Sequence, residues 1–251
     1  MSGLLRARPA LSGFRQAVGF LTPLGGASTP TPAALGWFAV VGGGLGAALG
    51  GVWWLARRAW PPGVAGAVVV AADLALTGML HFDGLVDAAD GLLAHLDRSR
   101  RLEVMAEPGV GAFGLGAGGI ALLVRWAALA SLAPSAVLLV GVWAGARASM
   151  VVVMGLVPYA RAEHGGLASR FVPERRRGTL VVGVLGLAGS LAVVMLYRTL
   201  PGAVAWLCAG SVGLAVVAFA VRRLGGYTGD VLGALGVAFE TTALAVAAAR
   251  W

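Results

Sequence analysis

Lysine is absent from this sequence, cysteine occurs once, and only 12% of the 251 residues are charged. Each scarcity excludes something. A water-soluble domain of this length holds roughly twice that charged fraction, so a soluble globule is excluded before any motif is read. A lone cysteine, Cys208, forms no intrachain disulfide, and its apolar neighbours make it a packing residue. Without lysine, all 19 basic residues are arginine and the net charge is +8. In an apolar chain an uneven spread of arginine is a topology signal rather than a nucleic-acid footprint, and no nucleic-acid partner is expected. There is no soluble domain and no low-complexity tail, so residues 1–251 read as one membrane-embedded domain.

What is present is apolar. Hydrophobic residues make up 59% of the chain, and 40 residues are glycine. Small residues let helices approach closely in lipid, and Gly42, Gly46 and Gly50 have the required spacing of four. Seven runs are long enough to span a bilayer, which takes about 20 residues: 33–56, 63–80, 113–133, 135–157, 179–197, 202–221 and 231–249. The predicted fold is therefore an all-α, polytopic helical membrane bundle. The N-terminal segment does not read as a cleaved signal peptide, because Arg6, Arg8 and Arg15 interrupt any apolar core. Leu11, Phe14, Val18 and Leu21 form one helical stripe, which predicts an interfacial helix lying on the membrane.

Arginines set the orientation. The side that holds the N-terminus and the loops 81–112, 158–178 and 222–230 has thirteen of them. The opposite side has Arg57, Arg58, Arg198 and Arg250, and Arg125 and Arg147 fall inside spans. The N-terminus and the long loops are expected in the cytoplasm, and the chain in the cytoplasmic (inner) membrane of a bacterium.

Acids collect in the first of those loops. Asp83, Asp87 and Asp90 are spaced by four and three, within about 60° of one another on a helix. Carboxylates so placed repel each other unless a hard cation sits among them, and oxygen-only ligation suits Mg²⁺. The plainer reading is a solvated acidic face neutralised by Arg98, Arg100 and Arg101. Mg²⁺ held by carboxylates ordinarily works on phosphate oxygens, and nearby arginines clamp the same phosphates. The reaction class that follows is phosphoryl-type transfer to an alcohol. Arg147, deep in a span, either reaches an anionic substrate or forms a structural ion pair with Glu240. His81, His95 and His164 are isolated and are not read as metal ligands.

The stretch HFDGLVDAADGLLAHLDRSRRLEVMAEPGVGAFG (81–114) closely resembles the signature loop of cobalamin synthases, the adenosylcobinamide-GDP ribazoletransferase family. The similarity continues at Arg147, at PYAR (158–161), at Gly166-Leu167 and at GGYTGDVLGA (225–234), in the family's order across most of the chain. The resemblance implies a polytopic, Mg²⁺-dependent transferase. It would join adenosylcobinamide-GDP to α-ribazole, or to α-ribazole 5′-phosphate, and release GMP. It implies Asp83, Asp87 and Asp90 as metal ligands and Asp87, Glu107 and Asp230 as catalytic carboxylates. Arg98, Arg100, Arg147, Arg161 and Thr228 are implied as substrate contacts. Glu107 and Asp230 are alternative candidates for the base, since each is close to a glycine that permits near approach of substrate.

The chain departs from the family pattern in places. Thr22-Pro-Leu-Gly-Gly stands where TRLPVP is usual, without the arginine. Glu107 replaces an aspartate, Pro108-Gly109 replaces Ser-Arg, and Val237 replaces the first of two glutamates, leaving Glu240. A CDP-alcohol phosphotransferase is a second enzyme reading, because Asp87-x-x-Asp90-Gly91-x-x-Ala94 matches half of that motif. His95 stands where its arginine belongs. A transporter places its carboxylates near the midplane between repeats, whereas here most lie in a loop and no repeat is found. The residues neither require nor exclude a homo-oligomer or a biosynthetic complex.

Overall fold

A computed structural model describes residues 2–25, 31–161 and 176–251. Its helices are α1 (Ser2–Leu21), α2 (Phe38–Ala59, entered through a 3-10 turn at Pro32–Trp37), α3 (Pro62–Leu76), α4 (Leu80–Leu93) and α5 (Arg98–Val104). They continue with α6 (Ala112–Ser131), α7 (Ala136–Leu156), α8 (Arg176–Tyr197), α9 (Thr199–Leu224) and α10 (Gly229–Ala247). Six elements, namely α2 with its entering turn, α6, α7, α8, α9 and α10, are each long and apolar enough to cross a membrane. They match six of the seven expected spans to within a few residues. Most of the loop 158–178, with His164, Gly166, Leu167, Arg170 and Arg175, lies outside the described residues.

The run 63–80 is the exception. It stops as a helix at Leu76, and α4 leaves at 89° to α3. Gly78 (φ 57°) and Met79 (φ 59°) make the corner. Glycine reaches the left-handed region without strain, whereas methionine does not. Thr77 fastens the end of α3 by donating its hydroxyl to the Asp73 carbonyl at 2.7 Å. At 1.5 Å per residue, α3 is only about 22 Å long. We read α4, which carries the three aspartates, as the limb outside the apolar span.

Close backbone approach builds the bundle. A Cβ on Gly42 would lie 2.5 Å from the Trp143 carbonyl oxygen, and one on Gly50 would lie 2.6 Å from Ala136 Cα. The expected small-residue stripe on α2 therefore packs against α7. Helices α7 and α10 are the most enclosed spans. Large apolar side chains such as Leu115, Ile120 and Leu123 on α6 point outward, as a lipid-facing surface requires. On α1, Ala17 and Leu21 are buried while Leu11 and Phe14 are exposed. The expected stripe of Leu11, Phe14, Val18 and Leu21 is thus split, with Leu21 packed into the bundle and Leu11 and Phe14 at the surface.

The spans carry charge at one buried place. Arg125 donates to Asp73 at 2.6 Å and also to Glu240, and Arg147 donates to the other oxygen of Glu240 at 2.5 Å. Thr241, the Val237 carbonyl and the Trp143 indole complete the set. Two arginines thus face two carboxylates, tying α3, α6, α7 and α10 together. Of the two readings of Arg147, the structure takes the ion pair with Glu240. Asp73 supplies the second carboxylate, and Val237 contributes only its backbone oxygen.

Candidate active site

The first turns of α2, α4 and α10, the end of α7 and the segment 158–161 meet at one end of the bundle. They enclose a cavity of about 200 Å³. Its lining includes His81, Asp83, Tyr159, Arg161 and Asp230. Two glycines bring the acids of α4 to α10. A Cβ on Gly84 would lie 3.0 Å from the Asp230 carbonyl oxygen, and one on Gly233 would lie 2.9 Å from that of His81. At such spacing the two helices touch backbone to backbone, and any larger residue would part them.

The segments 158–161 and 225–230 are held as a pair. Tyr227 N–H donates to the Pro158 carbonyl at 2.9 Å, and Ala160 N–H donates to the Tyr227 carbonyl at 2.8 Å. The Tyr159 and Tyr227 rings meet edge to face with centroids 5.3 Å apart. This pairing carries Arg161 to the cavity, where it donates to Asp230 at 3.3 Å and to the Leu102 carbonyl at 3.2 Å. Among the described residues its buried Nε has no hydrogen-bond partner. Burial pushes the Tyr159 phenol above its ordinary pKa, so it stays protonated and able to donate.

The carboxylates are electrostatically strained. Asp83 is exposed and Asp87 half-buried. Partial burial, followed by repulsion from Asp83, Asp230 and Asp90, pushes the Asp87 carboxyl up to about 7, against a smaller pull from Arg161. No group of three or more His, Cys, Asp or Glu side chains is placed as a metal cage among the described residues. Of the three expected ligands, Asp90 is engaged elsewhere. Its carboxylate is buried and accepts the Gly111 N–H at 2.7 Å and the Gly114 N–H at 2.8 Å. It caps α6, and a Cβ at Gly111 or Gly114 would strike it. Sharing a helical face with Asp83 and Asp87 did not decide its partner.

The other expected residues separate in the same way. Arg98 ties two backbone carbonyls, of Leu224 at 2.7 Å and Ala160 at 3.1 Å, so it braces the wall of the site. Arg100 pairs with Glu103 at 3.1 Å and with Glu107 at 2.7 Å on an open surface of α5. Neither Arg100 nor Glu107 lines the cavity. Thr228, fully buried, caps α10 by accepting the Val231 N–H and donates to Asp230 at 3.2 Å. Arg147 is enclosed in its ion pair, away from the lining. Only Asp83, Arg161 and Asp230 of the expected set line the cavity itself, with Asp87 next to them.

Arg101 and His81, which the sequence does not mark as site residues, also build this end of the bundle. Arg101 is buried and donates to the Gly91 and Leu92 carbonyls, each at 2.8 Å, closing the C-terminal end of α4. His81 is buried in the cavity wall, and its Nδ1 has no hydrogen-bond partner among the described residues. Only tertiary contacts distinguish them from their neighbours in sequence.

Residues 13–248 match the family model described as Cobalamin-5-phosphate synthase. The chain is 43% identical over 190 residues to the adenosylcobinamide-GDP ribazoletransferase of Deinococcus radiodurans, covering 73% of this chain and 64% of that relative. It is 35% identical over 247 residues to the enzyme of the same name from Ralstonia pickettii, covering 89% and 90%. The one from Bradyrhizobium diazoefficiens is 34% identical over 196 residues, covering 77% and 74%. No solved structure is similar to this chain. A helical membrane bundle gathering carboxylates and an arginine at one end, matched to the family model over nearly its whole length, belongs to the Cobalamin-5-phosphate synthase family.

Proposed function

We propose that this chain joins adenosylcobinamide-GDP to α-ribazole, or to α-ribazole 5′-phosphate, and releases GMP. The names of its relatives state the transferase activity. The observation that carries the chemistry is the convergence of Asp83, Arg161 and Asp230 on one cavity, with Asp87 beside them. The excess of arginine on the same side of the chain puts this end of the bundle in the cytoplasm, at the bacterial cytoplasmic membrane.

A ribose hydroxyl of the acceptor attacks the phosphorus attached to cobinamide. A new P–O ester bond forms, the bond to the bridging oxygen breaks, and GMP leaves with the electron pair. Asp230 is the carboxylate in the lining placed to take the hydroxyl proton, since Glu107 is engaged on α5. Arg161, with one buried N–H unpartnered among the described residues, holds the diphosphate and balances its charge. Tyr159 donates to the same oxygens.

The donor set fits Mg²⁺. Asp83 and Asp87, one exposed and one half-buried, offer only oxygen and repel each other, and Mg²⁺ ordinarily takes one or two carboxylates with the rest from phosphates and water. When bound there, Mg²⁺ would draw charge from the phosphate oxygens. Purified protein, adenosylcobinamide-GDP, α-ribazole and Mg²⁺ should yield GMP in step with the corrinoid product. Release of no GMP, or dependence on a cytidine nucleotide instead, would remove this reading.

A further inference from the structure

The cavity has two halves of opposite character. One half carries the polar groups already described. The other is built from Phe20 of α1, Phe38 at the start of α2, Leu80 of α4, Met150 of α7 and Leu232 of α10. Phe20 and Phe38 lie nearly parallel, with ring centroids 5.8 Å apart and planes 21° apart. Nothing in the phosphoryl-transfer chemistry calls for an aromatic wall beside the carboxylates.

We propose that this apolar half is the slot for the aromatic base of the acceptor riboside, and that Phe20, Phe38 and Met150 set which bases are accepted. The proposal rests on the transferase reading above. Three ring systems meet in that reaction: the corrin macrocycle, guanine and the benzimidazole of ribazole. A cavity of roughly 150 Å³ holds one benzene ring, and about 200 Å³ is the volume of both halves together, so there is room for one small flat ring and none for a macrocycle fringed with amides. Guanine presents a full hydrogen-bonding edge. Buried against phenylalanine, methionine and leucine, its donors would lose water and gain no partner. Benzimidazole is flat, compact and largely apolar. It matches the slot in size and in chemistry, with Met150 adding the sulfur–ring contact that methionine makes well. Its ribose then points to the polar half, where Asp230 and Arg161 wait, and the corrinoid stays at the mouth.

The test uses the full chain reconstituted in lipid, with GMP release followed while each substrate is varied. Absence of release by the wild type removes the transferase reading itself. Given release, an imidazole riboside, which lacks the second ring, should show kcat/KM lowered about tenfold or more against α-ribazole. Phe20→Ala should raise KM for α-ribazole about tenfold, leave kcat largely intact, and leave KM for adenosylcobinamide-GDP within about twofold. Phe20→Leu should restore most of the loss. Equal use of the two ribosides by the wild type would overturn the slot. So would a Phe20→Ala effect that falls on the corrinoid substrate. The riboside comparison needs no variant, so a misfolded mutant does not shelter the proposal.

Discussion

Two regions of this molecule use the same side chains to opposite ends. In mid-bundle, Asp73, Arg125, Glu240 and Arg147 form a chain of two anions and two cations, all buried. At the end of the bundle, Asp83, Asp87 and Asp230 stand near a single cation, Arg161, among the described residues. The first set is balanced. Its charges are paired at short range, and the other donors of Arg125 find a threonine hydroxyl and a backbone carbonyl, while the Nε of Arg147 is left without a partner among the described residues. Burying it is tolerable only because it is balanced, since an unpaired charge in lipid is costly. The second set is left in excess of one sign, half-open to water. On the function proposed above, a bound cation would offset that excess. Charge balance thus separates the structural region from the chemical one.

The sharpest way to break this contrast is to neutralise one member of each region. Asp87→Asn should lower turnover by about two orders of magnitude or more, the scale on which losing a catalytic carboxylate or metal ligand acts. Its melting temperature in detergent should hold or rise, because a repulsion is removed. An Asp87→Asn protein with wild-type turnover would dissolve the distinction. Glu240→Gln should do the reverse. It leaves Arg125 and Arg147 in the core with no carboxylate between them, Asp73 being paired to Arg125 alone, which costs about 3–5 kcal/mol. The measurement is thermal or denaturant unfolding, and an unshifted transition would show that the mid-bundle pairs hold nothing together.

The pH dependence of stability sharpens the comparison further. The Asp87 carboxyl is raised from 3.8 to about 7 in the folded protein. A raised pKa means that the folded state binds the proton more tightly than the unfolded state does. The contribution is therefore fully present below about pH 4 and is lost as pH rises through 7. Without divalent cation, the melting temperature should fall across that window, and Asp87→Asn should flatten the fall. Added Mg²⁺ should flatten it as well, by holding the carboxylate ionised. A slope unchanged by both would place the cause elsewhere.

How much of this was legible in the sequence follows from where each signal resides. Six spans were readable because apolar length is a local property. The bend at Thr77–Met79 was not, since Gly78 was visible there but the left-handed Met79 follows from tertiary packing. Helical spacing placed Asp83, Asp87 and Asp90 on one side of α4. It said nothing of α6, whose Gly111 and Gly114 amides, more than twenty residues away, claim Asp90. Glu240 was named as a partner for Arg147, but Arg125 and Asp73 join the pair from helices that no spacing rule connects. Phe20, Phe38 and Met150 carried no signal, because an apolar residue lining a cavity looks the same in sequence as one facing lipid.

The smallest expected effect is also the one that most directly corrects a sequence-based expectation. Glu107 stood beside Asp230 as a candidate base, and Arg100 stood beside Arg161 as a phosphate contact. In the structure they bind each other at 2.7 Å, with side chains about half-exposed, at 47% and 54%. Exposed pairs of this kind contribute little, because water screens them and ordering two long side chains offsets the attraction. Neither residue lines the cavity in which Asp83, Arg161 and Asp230 meet. Glu107→Gln and Arg100→Ala should therefore each leave turnover within about twofold of wild type and leave the melting temperature where it was. Asp230→Asn, assayed in parallel, should lose about a hundredfold in kcat. A large loss in Glu107→Gln, with Asp230→Asn near normal, would move the base from α10 to the turn after α5. The centre of the reaction would then lie on the outer face of that helix rather than in the cavity.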